Sequence, residues 1–300
     1  MYLKELSIKN FKSFYGYHNF SLNKGPNIII GGNGEGKTNF CKAIEFALYG
    51  AISLTSNKYT SASMQYPSLI NKSRVDEADS ERDWIGCEVR LLFDDENNEY
   101  WFDRSFSPFL DDKVREKVIY STISKKISGS EYRECVYVDE DLSRNSHEYR
   151  NESRGQVMFE SLNKIIDNNV RNGFGFLILD DSLARFNRNY TEKALALLEE
   201  SALDQIILLM GTSQEAPAYL SSKVIRLGKT IESVTFKVHD FPFPSEGLLG
   251  DIDIMIYDRY VSEGEVFKRD VYGHKYTLEA VEVVPNGARY QRDRSKIEVT

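Results

Sequence analysis

The run Gly31-Gly-Asn-Gly-Glu-Gly-Lys37-Thr38 fits G-x-x-x-x-G-K-S/T at every fixed position, a spacing that builds a phosphate cradle. Glycines let the backbone fold tightly, so that successive N–H groups face one anion. A helix starting at Thr38 would point its N-terminus at the same anion. Lys37 would supply a point charge to the β- and γ-phosphates, and the Thr38 hydroxyl would ligate Mg²⁺. The candidate nucleotide-binding set is Gly31, Asn33, Gly34, Gly36, Lys37, Thr38 and Asn39. The competing explanation is a chance glycine turn, which the flanking pattern disfavours.

A phosphate loop of this kind needs a second acid for the metal. Phe176-Leu-Ile-Leu-Asp180-Asp181 is an apolar strand pattern ending in two carboxylates. Asp180 would emerge at the carboxyl edge of the sheet, where open α/β sheets bind ligands. There it would hold Mg²⁺ through water beside Thr38, while Asp181 would polarise the attacking water. Lys37 and Asp181 are thus the candidate catalytic pair. An acidic turn after a core strand is the bland alternative.

These groups need elements to position them. Asn27–Ile30 is a short apolar strand running into the glycines. Phe40, Ala43, Ile44, Ala47 and Leu48 fall on one helical face, predicting a helix over Thr38–Tyr49 with Gly50 at its C′ position. Before them, Tyr2–Lys9 alternates as a strand, and Tyr17–Leu22 does so less cleanly. Residues 51–83 read as polar and irregular. Strands follow over Trp84–Phe93 and Glu99–Phe106, with further β-like runs at Lys117–Ser124 and Tyr132–Val138 and a charged loop over Asp139–Glu152. The pattern then alternates: helix Gln156–Val170, strand Phe174–Leu179, helix Thr191–Ala202, strands Gln205–Met210 and Ser222–Leu227. Beyond about residue 230 it reads as β again, with hairpin-like turns at Tyr272-Gly-His and Pro285-Asn-Gly. The order predicts an α/β core, an antiparallel β lobe and a β-rich C-terminal extension.

Composition narrows the class. With 41% hydrophobic and 28% charged residues the chain is ordinary for a globular protein, and a formal charge of −8 argues against a generic cationic DNA-coating protein. No apolar run approaches the ~20 residues of a membrane span, and the N-terminus lacks a signal-peptide core, so a cytoplasmic location is expected. Cys41, Cys87 and Cys135 show no metal spacing and read as reduced thiols. His18, His147, His239 and His274 suggest structural or surface roles. Arg104 reads as the partner of a surface acid. Arg289, Arg292, Arg294 and Lys296 cluster near the end, as a solvated strand edge or, less readily, a partner- or DNA-binding strip.

Together the two motifs and the opening Leu6-Ser-Ile-Lys-Asn-Phe-Lys-Ser-Phe14 resemble the ABC-type ATPase heads of the structural-maintenance-of-chromosomes (SMC) and RecF superfamily, over residues 1 to about 230. The opening resembles L-x-I-x-N-F-K/R-S-F, which implies that Lys12 and Ser13 approach the nucleotide; a surface lysine and a turn serine are the alternative. Ser153-Arg-Gly155-Gln156 is similar in place to the ABC signature S-G-G-Q/E, which in that family caps the γ-phosphate held by a second subunit; a plain helix-capping serine is the alternative. The resemblance implies Mg-ATP as glue between two heads, released by hydrolysis. Asp180-Asp-Ser-Leu-Ala-Arg-Phe-Asn187 resembles the D-x-P-x-G-R-x-D run of the (DndD-like) ATPases of DNA phosphorothioation systems, placing Arg185 and Asn187 at the dimer seam.

Four features depart from the family pattern. Asp181 replaces a glutamate, one methylene shorter, so slow hydrolysis is expected. Gly211-Thr-Ser-Gln-Glu stands where a switch histidine would be. No Q-loop glutamine lies between Arg104 and Ser153. The slot of the long coiled coil, residues 107–150, holds only β-like and loop sequence. Either the head is compact by nature or a coil has been removed, with Ser128-Gly-Ser an ordinary turn or a join. The expectation is an ATPase head over 1–240, with an extension of unassigned role over 241–300, that homodimerises through its ATP sites. Its setting would be DNA repair, maintenance or defence, beside an effector or nuclease on another chain. The rival is a nucleotide-gated regulatory protein with little hydrolysis. A small P-loop kinase is disfavoured by the long β lobe between the motifs.

Overall fold

The computed structural model describes residues 1–49, 51–53, 59–61, 69–76, 86–94, 98–106, 117–120, 137–138, 154–172, 175–211, 223–239, 247–271, 274–291 and 294–300. In chain order the elements are β1 (Tyr2–Phe11), β2 (Phe14–Ser21), β3 (Gly25–Ile30), α1 (Lys37–Tyr49), β4 (Ala51–Ser53), β5 (Tyr59–Ser61), α2 (Lys72–Asp76), β6 (Cys87–Asp94), β7 (Glu99–Phe106), β8 (Lys117–Tyr120) and β9 (Tyr137–Val138). There follow α3 (Arg154–Asn172), β10 (Phe176–Asp180), α4 (Arg188–Glu200), β11 (Gln205–Met210), β12 (Lys223–Arg226), β13 (Ser233–His239), α5 (Leu248–Ile256), β14 (Val266–Val271), β15 (His274–Val284) and β16 (Lys296–Val299).

Three main sheets result. An antiparallel lobe has the order β2-β1-β6-β7-β8, a parallel sheet the order β12-β3-β11-β10-β9, and a third sheet the order β14-β15-β13-β16. β10 and β11 are buried at every position, the pattern of parallel strands covered on both faces. α1 lies between the lobe and the parallel sheet. Phe40, Ala43, Ile44, Phe46 and Ala47 are wholly buried there in a core shared with Leu6, Ile8, Ile29 and Ile207. α3 and α4 cover the other face through Met158, Leu162, Ala194 and Leu198. Gln205, wholly buried, stitches the two sheets. Its Oε1 accepts from Leu3 N at 2.9 Å, and its Nε2 donates to Leu3 O at 2.8 Å and Asn23 O at 2.9 Å.

The core follows the expected order, with several corrections. Arg104 does not lie at the surface as expected. It is buried, and its Nε donates to Ala47 O at 3.0 Å, where a cation suits the last turn of α1. The extension is not wholly β, because it contains α5. Asp251-Ile-Asp-Ile alternates like a strand, but Leu248, Ile252 and Ile256 pack the core at helical spacing while Ile254 is 62% exposed. Asp253 goes inside instead, because its carboxylate accepts from Tyr290 OH at 2.6 Å. Pro285-Asn-Gly is a turn but joins no hairpin; β16 pairs with β13 in parallel. Residues 51–83 are not irregular throughout, since they include α2 and the β4–β5 hairpin. β14 and β15 pair as expected of a hairpin; Tyr272 and Gly273 lie outside the described residues, as do Gly50, Cys135 and Ser128–Ser130. The third sheet includes β13, ahead of residue 241.

The extension is docked on the head. Arg289 is not part of a solvated edge: its guanidinium donates to Asp258 Oδ1 at 2.9 Å and to the Tyr17 carbonyl. Behind it His18 sits in an aromatic cluster with Phe14, Phe20 and Tyr260. Its Nδ1 lies 3.2 Å from Tyr260 OH and its Nε2 3.0 Å from Tyr15 O. Burial, helped by Arg289, pushes the imidazole down to about 3. The unfolded chain therefore takes up a proton near pH 6.5 that the fold refuses. Stability is full above pH 6.5 and falls as pH drops toward 3. At pH 4.5 this one group is expected to cost about 3 kcal/mol. Urea melts at pH 7 and 4.5 should show a smaller acid loss for His18→Phe than for the wild type; equal losses would contradict this.

Candidate nucleotide site

The opening motif is built to hold the phosphate loop from below. Asn10 adopts φ 51°, which asparagine tolerates, and its Oδ1 accepts from Gly16 N at 2.8 Å, closing the β1–β2 turn. Phe11 is wholly buried. Lys12, also left-handed at φ 50°, is strapped by Leu69 and Asn71: its N–H donates to Leu69 O at 2.8 Å, and Asn71 Nδ2 donates to its carbonyl at 2.6 Å. Burial, with Lys42 adding like charge, lowers its ammonium to about 8. Ser13 Oγ accepts from Asn39 Nδ2 at 2.9 Å, so the turn grips the first turn of α1.

The loop itself has the expected backbone. Gly34 and Gly36 take φ 86° and 107°. A methyl at Gly36 would sit 2.8 Å from Ser13 Oγ and 3.0 Å from the Phe14 ring. Phe40 N, donating to Gly36 O at 2.8 Å, closes the first helical turn. The N–H groups before it lack intrahelical acceptors, as at any helix start. Lys37 is only 6% exposed, its Nζ donating to Gly31 O at 2.8 Å and Gly32 O at 3.4 Å. Lys37 Nζ also lies 3.6 Å from Asp181 Oδ2.

The second acid is where the strand pattern put it. Asp180 ends β10, is 7% exposed, and its Oδ2 accepts from Thr38 Oγ1 at 3.1 Å across the sheet edge. A hydroxyl and a buried carboxylate side by side are hard oxygen donors, which fit Mg²⁺. Among the described residues no group of three or more His, Cys, Asp or Glu could hold a metal. Asp181 follows at φ 49°, its N–H donating to Leu209 O at 3.1 Å. That kink turns its carboxylate toward Lys37.

Gly31, Gly36, Lys37, Thr38, Asn39, Ser13, Asp180 and Asp181 are thus joined by direct contacts, with Gly34 and Lys12 on the same loop and turn; Asn33 is exposed on the loop. The signature is elsewhere. Ser153 lies outside the described residues. Gly155 and Gln156 open α3, Gln156 Nε2 donating to Glu160 Oε1 at 3.2 Å. A methyl at Gly155 would sit 2.8 Å from the Tyr190 ring, so close packing on α4 is one reason for that glycine. Asn187 caps α4, its Oδ1 accepting from Tyr190 N at 3.1 Å. Thr212 and Ser213 lie outside the described residues, as does the Arg185 side chain. Sequence reasoning gave no role to Glu35, whose Oε2 accepts from Gly32 N at 2.6 Å. A carboxylate inside an anion-binding loop was the available signal.

No described helix is long and apolar enough to cross a membrane. Cys41 and Cys87 are buried thiols outside any disulfide, burial raising Cys87 to about 12. No curated protein matches the chain. Among solved structures, an SMC head bound to the C-winged helix domain of ScpA aligns at 17% identity and TM-score 0.50, covering 75% of this chain and 94% of that one. The SMC head domain from Thermotoga maritima aligns at 16% identity and TM-score 0.44, covering 71% and 90%. The recombination mediator protein RecF aligns at 20% identity and TM-score 0.31, covering 57% and 40%. The first of these agrees with the α/β head architecture. A family model described as an AAA domain matches residues 5–221, a span that holds the phosphate loop, Asp180 and Asp181, and the chain belongs to this AAA_23 family.

Proposed function

We propose that this chain is an ATPase of the SMC/RecF class acting in DNA maintenance. The observation that carries the reading is the Thr38 Oγ1–Asp180 Oδ2 contact of 3.1 Å, beside the Lys37–Asp181 pair at 3.6 Å. A loop and a strand end far apart in sequence meet as the two halves of one site. Lys37 leaves its loop carbonyls for the phosphates, and the N–H groups of the loop and of the first turn of α1 bind the phosphate oxygens. Thr38 and Asp180 would hold Mg²⁺, which neutralises charge developing on the β- and γ-phosphates. Asp181, released from Lys37 as that ammonium moves, accepts a hydrogen bond from the water that attacks the γ-phosphate. The water oxygen bonds to the γ-phosphorus as the bond from that phosphorus to the ADP oxygen breaks; the water's proton goes to the released phosphate and ADP departs.

Two heads sharing ATP, each lending Ser153, Gly155 and Gln156 to the other's γ-phosphate, is the fuller form of the proposal. Light scattering of the wild type, Asp181→Asn and Ser153→Arg, with and without Mg-ATP, tests it. An ATP-dependent dimer, strengthened by the first change and lost with the second, is expected; no mass change with any nucleotide overturns it. DNA repair or defence beside a separate nuclease or other effector, as in phosphorothioation systems, is the setting the sequence resemblance suggests. The short reach of Asp181 favours a second reading, a nucleotide-gated switch with little turnover that controls such a partner. Tight ATP binding without phosphate release would select it.

A further inference from the structure

Glu35 puts a negative charge inside a loop whose purpose is to hold negative charge. Its carboxylate folds back on its own loop, its Oε2 accepting from Gly32 N at 2.6 Å. What gives it room is Gly228, in the turn after β12. Gly228 has φ +69°, and a methyl there would sit 2.5 Å from Glu35 Oε1 and 2.6 Å from Glu35 Cδ. The side chain of the preceding residue, Leu227, closes the same space. A methyl at Gly31 would be 3.2 Å from Leu227 Cβ and 3.3 Å from Glu35 Oε2. Glu35 is therefore boxed between its own loop and the turn over 227–228.

The C-terminal extension fixes that turn. Leu227 N donates to Ile30 O at 2.8 Å, seating the turn on the strand that feeds the phosphate loop. On either side the extension takes over: Arg226 N donates to Gly287 O at 2.7 Å, Arg289 N to Lys229 O at 3.0 Å and Ile231 N to Arg289 O at 2.9 Å. We infer that Glu35 and Gly228 form a positioning contact through which the seating of the C-terminal extension sets nucleotide affinity. While the turn is seated, Glu35 stays folded back on its own loop. When the turn moves onto Glu35, the carboxylate swings to the phosphate side and competes for the same N–H groups and for Lys37.

The inference rests on the nucleotide-binding reading, and the two can fail separately. The test is equilibrium binding of fluorescent mant-ATP with Mg²⁺ to the full chain. The wild type is compared with Lys37→Ala, Glu35→Ala, Gly228→Ala and the Glu35→Ala/Gly228→Ala double variant, with melts confirming folding. Gly228→Ala should weaken binding about tenfold by driving the carboxylate inward. The double variant should return to within about threefold of Glu35→Ala, because no carboxylate remains to be driven. A double variant as weak as Gly228→Ala would mean that strain at φ +69° is responsible, and would overturn the coupling. So would unchanged binding in Gly228→Ala. If the wild type and Lys37→Ala bind alike, the nucleotide reading itself falls. Should Gly228→Ala not fold, Gly228→Asn carries the same Cβ on a residue that accepts a left-handed backbone.

Discussion

Lys37→Ala is expected to weaken ATP binding at least about a hundredfold and to stop turnover, while Asp181→Asn binds ATP more tightly and hydrolyses it slowly. The opposite signs follow from the 3.6 Å separation of the two charges. Lys37 is almost wholly buried against its own loop carbonyls, so its ammonium is already held beside the place a phosphate would take. A charge-assisted bond of that kind is worth about 3 kcal/mol, or roughly a hundredfold. Asp181 presents a carboxylate to the same space, repelling the phosphates and offering Lys37 a competing partner. Asparagine keeps the shape and removes the charge behind both effects, but its neutral amide oxygen is a far weaker acceptor for the attacking water than a carboxylate. Isothermal titration with Mg-ATP and a phosphate-release assay separate the two. Weakening of both variants alike would show that Asp181 supports binding, and would end its assignment as the water-orienting group.

How much of this could be read from the chain depended on how local the physics was. The phosphate loop was legible because its requirements fall within one short run, Gly31 to Thr38. Asp180 was legible because a strand buried on both faces must end at the sheet edge, so the first acid after Leu179 emerges there. Arg104 was misread because nothing local shows that its strand faces the end of α1. α5 was missed because alternation of Asp251, Ile252, Asp253 and Ile254 mimics a strand, and only Tyr290, which binds Asp253 at 2.6 Å, reverses which residues turn inward. Gly155 was readable as a signature glycine, but its contact with Tyr190 comes from the packing of α3 on α4. The contact of Glu35 with Gly228 joins the two ends of the head and has no trace in spacing. Local chemistry was visible; pairings set by the meeting of sheets were not.

Gly287 gives the sharpest stability prediction for that meeting of parts. It has φ +77°, and a methyl on it would overlap the Val224 carbonyl oxygen and approach Ile225 Cα to 3.3 Å. Both obstacles are backbone atoms of β12, so no rotamer change relieves the clash. Nor can the loop withdraw freely: Gly287 N donates to Val261 O at 2.9 Å, and Arg226 reaches back with N to Gly287 O at 2.7 Å and Nε to Asn286 O at 3.0 Å. Gly287→Ala should therefore cost about 3–5 kcal/mol, from left-handed strain of ~1 kcal/mol plus lost hydrogen bonds and loosened packing. Gly25 provides the control. Its φ is +82°, with nothing within 4 Å of the added methyl, so Gly25→Ala should show the strain of about 1 kcal/mol alone. Urea melts of both variants give the difference, which is the worth of the close approach between extension and head. Hydrogen exchange locates it: the Arg226 and Ile231 amides, bonded to Gly287 and Arg289, should lose protection in Gly287→Ala and keep it in Gly25→Ala. Equal costs would mean that the extension rests on the head without gripping it, and that the turn carrying Gly228 is held by Ile30 alone.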